Sequence, residues 1–134
     1  MKAFAFIPLK SIGEVVFGES RENVRHKLGA FQEFKKTNRA KNTTDDFGFC
    51  HAYYDVEDKC EAIEFVRNET SVMWEDRDIY AYDYKTLEQF VASHDDALDI
   101  DSSGFISKKL QLAVYSPDKE TIQAILFARE GYYD

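Results

Sequence analysis

Residues 53–67 read YYDVEDKCEAIEFVR, and residues 115–129 read YSPDKETIQAILFAR. Laid over one another at an offset of 62, they agree at Tyr53 and Tyr115, Ala62 and Ala124, Ile63 and Ile125, Phe65 and Phe127, and Arg67 and Arg129. Five identities in fifteen positions stand against about one expected from average composition. Each stretch has the form of a β-hairpin: a strand ending in an aromatic, an acidic turn, and a returning strand. In the first copy, period-2 alternation sets Glu61, Ile63 and Phe65 on one side and Cys60, Ala62, Glu64 and Val66 on the other. One residue more of offset also superposes two helix signals. Ser20 pairs with Asp83 as caps, Val24 with Leu87, and Leu28 with Val91. Hydrophobic alternation alone makes hairpins look alike, so the agreement of the helices adds to that of the strands.

Working outward, the chain opens with a strand at residues 2–8 and an extended piece at 15–17. A helix capped by Ser20 follows and is stopped by Gly29. Residues 30–44 are polar and basic, with Phe31 and Phe34 as their large apolar members, and read as a partly helical loop. Strand character returns over 47–54, reverses through the acidic turn 55–59, and runs back over 60–67. A turn at 68–70, a short strand at 71–74 and a turn at 75–78 lead to a second helix, capped by Asp83 with Leu87, Phe90 and Val91 on its buried side. The expectation is one α+β domain over residues 1–134, with pseudo-repeats at about 20–67 and 83–129. Two helix-plus-hairpin repeats would form one antiparallel sheet with the helices packed on one face, leaving the other face open.

Composition supports a single core. The 134 residues are 44% hydrophobic and 15% aromatic, more than a disordered chain carries. The net charge of -8 is uneven: residues 21–41 hold seven Lys/Arg against two acids, so that segment is +5 and the remainder -13. An acidic surface repels nucleic acid and anionic membranes and steers a basic protein towards it. No secretory leader or membrane span is read, and two cysteines are too few for a disulfide scaffold, which makes a reduced, cytoplasmic, monomeric protein the expectation.

The run Phe17-Gly18-Glu19-Ser20-Arg21-Glu22-Asn23-Val24 leading to Leu28-Gly29, followed by a Tyr-Asp hairpin, resembles the small bacterial immunity proteins that neutralise polymorphic or contact-dependent toxins. The tandem layout is also similar to the β-lactamase inhibitory protein fold, in which two repeats form a concave sheet that grips an enzyme. The resemblance implies an inhibitor of one partner that works by covering an active site. It carries over no individual residue.

Chemistry of other kinds is weaker. Residues 99–107 fit a calcium loop through its ninth position, with Asp99, Asp101, Ser103 and Gly104 in place. The twelfth position is Leu110 instead of a bidentate Glu, and a polar turn is the better reading. His26, His51 and His94 share no ligand spacing. His94-Asp95-Asp96 offers an oriented imidazole, but a dipole-complementing helix end is the better reading, and His51 or His94 is the base that a small hydrolase would use. Cys50 and Cys60 lie in strands with nothing to lower a thiol pKa. The expectation is therefore no catalytic residue, no metal and no cofactor. Binding falls instead to two acidic loops and a tyrosine row: Asp55, Glu57 and Asp58; Asp95, Asp96, Asp99 and Asp101; and Tyr80 with Tyr82, beside Tyr84. The loops would form a negative rim around the phosphate-binding groove of a basic nuclease toxin. The alternative reading is a non-catalytic small-ligand or regulatory domain with a pocket between helices and sheet.

Overall fold

Strands dominate the computed structural model, which describes residues 2–66 and 70–134. In chain order the elements are β1 (Lys2–Ile7), β2 (Ser11–Ile12), β3 (Val15–Val16), α1 (Arg21–Leu28), β4 (Gln32–Phe34), β5 (Thr44–Asp46), β6 (Cys50–Tyr54), β7 (Cys60–Val66), β8 (Thr70–Trp74), β9 (Arg77–Asp78), α2 (Tyr84–Ala92), β10 (Asp99–Asp101), β11 (Gly104–Ser107), β12 (Leu112–Tyr115) and β13 (Ala124–Ala128). They form a small sheet, β3-β2-β1-β8-β9, and a large one, β10-β11-β12-β13-β7-β6-β5-β4.

This corrects the expectation of one sheet. Strand β1 runs parallel to β8, with Lys2 opposite Thr70 and Ala5 opposite Met73, whereas the large sheet is antiparallel throughout. Both partners in the parallel pair alternate, with Phe4 and Phe6 on β1 and Val72 and Trp74 on β8 turned to the core. Paired with each other, they lay a second apolar layer on the large sheet. Phe4 meets Phe65 at 5.0 Å and Phe6 meets Phe127 at 4.6 Å between ring centroids. Aromatic pairs at this spacing add about 0.5–1.5 kcal/mol to the burial itself.

Both helices pack on that same face. Val24 of α1 and Leu87 and Val91 of α2 are fully buried in the main cluster, and Tyr84 meets Phe105 of β11 at 5.8 Å. The caps are the ones read from sequence. Ser20 Oγ accepts from the Asn23 N–H, Asp83 Oδ1 accepts from the Thr86 N–H, and Gly29, at φ 95°, donates its N–H to the Arg25 carbonyl. Each cap satisfies a backbone group that the helix leaves open.

The large sheet consists of two four-stranded meanders, β4–β7 and β10–β13, each preceded by a helix and joined along β7 and β13. Their hairpins share a register. Tyr53 lies opposite Ala62 as Tyr115 lies opposite Ala124, and Cys50 opposite Phe65 as Leu112 lies opposite Phe127. At the join, Phe127 faces Ile63 and Ala124 faces Val66. Arg67, the last match of the first copy, and most of the turn read at 68–70 lie outside the described residues.

Three local readings change. The strand expected over 47–54 is broken, because Gly48, at φ 88°, donates to Asp46 Oδ1 and turns the chain between β5 and β6. Residues 30–44 hold the edge strand β4 and irregular chain rather than helix. Arg25 covers the Phe31 ring at 4.0 Å and pairs with Glu33 at 3.0 Å, which fixes that segment extended beside β5. Cys60 belongs to the main core with Ile63 and Phe65, since a register shift between Tyr53 and Tyr54 puts one extra residue into the hairpin arm.

Candidate functional site

In each strand of the large sheet every second residue points away from the helices, and three rows of cross-strand neighbours cover this outer face. One row runs Gln32, Asp46, His51, Glu64, Leu126, Ala113, Ile106, Asp99. A second runs Phe34, Thr44, Tyr53, Ala62, Ala128, and a third runs Val66, Ala124, Tyr115, Gly104, Asp101. The middle of the face is therefore built from Ala62, Ala113, Ala124, Ala128 and Gly104, between aromatics and acids. At Gly104, φ is 151° and a Cβ would lie 1.8 Å from the Val114 carbonyl oxygen, so no side chain fits. Small residues among large ones leave depressions in a sheet surface.

Two hollows occupy this face, of about 380 Å³ and about 290 Å³. The first is bounded by Thr44, Tyr53, Asp55, Glu61 and Tyr132, the second by Glu64, Asp101, Ile106, Tyr115, Tyr132 and Tyr133, and Lys36 borders both. The Tyr53 hydroxyl donates to Glu64 Oε1 at 2.5 Å, and the Lys36 ammonium stands 4.5 Å over the Tyr53 ring. Burial, and next the Glu64 carboxylate, push the Tyr53 hydroxyl far above the ordinary phenol range. Burial also raises the Tyr132 and Tyr133 hydroxyls and the Glu61 carboxyl. The last residues pack here because Gln111 grips Tyr133 at both ends of its backbone. The Tyr133 N–H donates to Gln111 Oε1 (2.7 Å), and Gln111 Nε2 donates to the Tyr133 carbonyl (3.1 Å). Tyr132 and Tyr133 stand edge to face at 5.0 Å and cover a small cluster of Tyr53, Ala62, Leu126 and Ala128.

The residues expected to bind a partner fall in several places. Asp101 and Asp99 are exposed on the outer face at edge strand β10. The Ser103 backbone N–H and hydroxyl hold the Asp101 carboxyl below its ordinary value, and Asp99 pairs with Lys108 at 3.5 Å. Asp55 builds the β6–β7 turn, accepting from the Glu57 and Lys59 N–H groups and pairing with Arg129 at 2.8 Å. Asp58 pairs with Arg21 at 3.2 Å, while Glu57 is exposed at the same turn. The single negative rim does not form. Strands β11, β12 and β13 lie between β10 and β7, and the Asp101 row meets β7 at Val66, the end away from the 55–59 turn.

Tyr80 and Asp95 are internal. Residues Ile79–Ala81 form a 3-10 turn rather than a strand, so Tyr80, Tyr82 and Tyr84 do not line up as an exposed row. The Tyr80 hydroxyl lies in the core, donating to the Phe65 carbonyl (2.6 Å) and accepting from the Ile125 N–H (3.1 Å). Tyr82 is half-buried against Phe90. Asp95 is buried and accepts from the Ser107 hydroxyl at 2.7 Å. Burial opposes its charge, but that hydroxyl and the Ala97 and Lys109 N–H groups hold the carboxyl below its ordinary value. Asp96 is exposed beside it.

The histidine candidates find other neighbours. His94 Nε2 lies 2.8 Å from Glu75, and the ring packs on Trp74 and Phe90, with neither Asp95 nor Asp96 as its partner. His51 lies 3.5 Å from Asp46, beneath Phe34. Both cysteines are buried, and burial pushes the Cys60 thiol up to about 12, the opposite of nucleophile activation. The stretch that fits a calcium loop is the β10–β11 hairpin, and among the described residues no group of three or more His, Cys, Asp or Glu is arranged to hold a metal ion. No described helix is long and apolar enough to cross a membrane.

Comparison with protein-family models, curated proteins and solved structures gave no match. Of the outer face, the sequence reading had found Asp99 and Asp101, and the alternation had put Ala62, Glu64 and Val66 on a common side. It missed Lys36, Tyr53, Tyr115, Leu126, Tyr132 and Tyr133 as neighbours. The available signal was the 62-residue offset, which pairs Tyr53 with Tyr115 at equivalent hairpin positions without saying which face they occupy.

Proposed function

We propose that the protein is a binding inhibitor of another protein, an immunity protein that lays the outer face of its large sheet over the active site of a basic toxin domain, such as a nuclease, in the cytoplasm. The observation that carries this reading is that face itself. Both helices and the small sheet pack on the opposite side, leaving exposed apolar and aromatic groups at Phe34, Val66 and Tyr115 (48% exposed) beside Asp99 and Asp101. Tyrosines at a binding surface supply contact area with little loss of side-chain freedom, and carboxylates at its edge favour a cationic partner. The immunity-protein resemblance of residues 17–29 and the net charge of -8 support the same class. We further infer that each helix and its meander are copies of one unit, supported by the shared hairpin register at the 62-residue offset.

Co-purification with the toxin domain encoded beside it tests the reading. The expected result is a one-to-one complex that blocks the toxin's activity and is lost when Tyr115 and Asp101 are both replaced by Lys. Charge reversal at Asp55 or Asp58 is a poor substitute, because it also breaks the pairs with Arg129 and Arg21. A toxin domain that neither binds nor is inhibited overturns the proposal. The two hollows favour a second reading, a small-ligand domain, which a bound molecule retained through purification would support.

A further inference from the structure

We infer that the hollow between Tyr115 and the Tyr132–Tyr133 pair is a receptor for one basic side chain, a guanidinium presented by a protein partner, and that Lys36 holds the neighbouring aromatic seat when no partner is bound. The inference rests on reading the outer face as a docking surface and names what that surface recognises.

Three features argue for a cation. The hollow, about 290 Å³, has a carboxylate towards each end, Glu64 on β7 and Asp101 on β10, with three strands between them. Glu64 accepts from the Tyr53 hydroxyl and Asp101 from Ser103, and among the described residues neither makes a direct ion pair, although Lys119 is near enough to favour the Asp101 charge. Three tyrosines are among the remaining walls, Tyr132 and Tyr133 at 88° to one another and the half-exposed Tyr115, together with the aliphatic Ile106 and Leu126. Aromatic walls set at right angles around a carboxylate attract cations, because each ring face is negative and the desolvated charge finds counter-charge at the rim. Finally, a cation is already in place beside the hollow. Lys36 comes from the exposed, irregular chain after β4, and its ammonium rests on the Tyr53 ring, whose hydroxyl bonds Glu64.

A guanidinium fits the site better than an ammonium. Its plane stacks on a tyrosine ring while its edge donates in a fork to a carboxylate, whereas an ammonium does one or the other. The floor favours the same choice. Gly104, Ala113 and Ala124 project little and Leu126 stands between them and Glu64, so the stem of a long side chain lies along an apolar floor before its head reaches the carboxylate. Lys36 would then act as an internal competitor, its positive charge opposing an incoming one until the loop moves aside.

Capped arginine (N-acetyl-arginine methylamide) titrated into the ¹⁵N-labelled full chain tests this without any partner, with capped citrulline as the neutral isostere. Saturable amide shifts are expected at residues 64, 103–106, 113–115 and 126 with arginine and not with citrulline. Glu64→Gln keeps an acceptor for Tyr53 and should weaken binding about tenfold, Asp101→Asn, at the far end of the hollow, should weaken it about twofold, and Lys36→Ala should tighten it a few-fold. Thermal melts of the three variants show whether each remains folded. Equal shifts with arginine and citrulline, shifts spread over the acidic turns instead, or unchanged affinity in both folded carboxylate variants overturns the inference. A larger response to capped lysine overturns the choice of guanidinium. The docking reading fails separately: a toxin domain that does not bind leaves a measured arginine site intact, and a partner that binds the Glu64→Gln chain as tightly as the natural one removes this site alone.

Discussion

The two faces of the large sheet are made by the same strands and are built in opposite ways. Turned inward are Ile63, Phe65, Phe105, Leu112, Ile125 and Phe127, all 2% exposed or less, and a second sheet and two helices press on them. Turned outward from the same strands are Ala62, Gly104, Ala113 and Ala124, with Tyr53, Tyr115, Glu64 and Asp101 around them. Size, more than polarity, separates the faces. Large residues inside fill the space between layers, whereas small ones outside leave space, and a tyrosine or carboxylate beside that space has something to close upon. Stability is thus expected to reside chiefly on the inner face, with a smaller share from the cluster under Tyr132 and Tyr133, and recognition on the open part of the outer face.

The largest test of that division is Phe65→Ala. Phe65 is in ring contact with Phe4, Phe49 and Phe127, so its removal opens a cavity where both sheets meet. A loss of about 3–5 kcal/mol is expected in urea unfolding. A loss under about 1 kcal/mol would mean that the inner face is not the core.

Next is a charged residue on the inner side of the large sheet. Asp45 of β5 is fully buried and accepts from Arg25 at 2.7 and 2.9 Å and from the Tyr54 hydroxyl at 2.9 Å, with Arg21 Nε at 3.7 Å. The Asp45 hydrogen bond raises the Arg25 guanidinium above its already high ordinary value. Asp45→Ala leaves two arginines facing a buried gap and should cost about 3 kcal/mol, read by the same unfolding curve. This network also answers part of the charge pattern. Arg21, Arg25 and Lys27, three of the seven basic residues in 21–41, are used in tying α1 to its surroundings at Asp45, Asp58, Glu33 and Glu19. The balance of +5 says less about partners than composition suggested.

Alkaline pH gives a third test, and the sign follows from burial. The Tyr53 and Tyr54 hydroxyls are pushed far above the phenol range, and the Cys60 thiol up to about 12, in each case chiefly by desolvation of the charged form. Groups with raised folded values contribute full stability below their unfolded values, about 8.5 for a thiol and 10 for a phenol. That contribution fades as pH rises towards the folded values, at about 1.4 kcal/mol per pH unit for each group. The urea midpoint should therefore fall between pH 9 and 11, and Tyr53→Phe should flatten the slope. A midpoint independent of pH in this window would show that these groups are not sealed from water.

What the sequence made legible was local. Ser20, Asp83 and Gly29 punctuate the helices through contacts a few residues away, and the hairpin of 53–67 declares itself by alternation. The pairing of β1 with β8 did not, because it joins residues 68 positions apart and either strand has the pattern to pair elsewhere. The site was hidden for a related reason. Glu64, Asp101, Tyr115 and Tyr132 come from four distant segments and become neighbours only through the order of β7, β13, β12, β11 and β10. Acidic turns were easier to see, and Asp55, Asp58 and Asp95 proved to be holding backbone and arginine in place.

The smallest expected effect on stability is the most direct comparison of the faces, one substitution made on each. Ala52 of β6 points inward with no exposure, and Ala52→Leu must push three extra carbons into close-packed rings, at about 1–3 kcal/mol. Ala113 of β12 points outward onto the hollow and is only half-buried, so Ala113→Leu meets open space and should change the unfolding free energy by less than about 0.5 kcal/mol. The same leucine fills the floor between Leu126 and Ile106, and should remove the response to capped arginine and the binding of a partner protein. If both variants lose stability equally, the outer face is a second packed surface and the hollow serves no recognition. If Ala113→Leu is stable and still binds, a partner docks elsewhere, and the edge strands β4 and β10, whose backbones are exposed, become the surfaces to test.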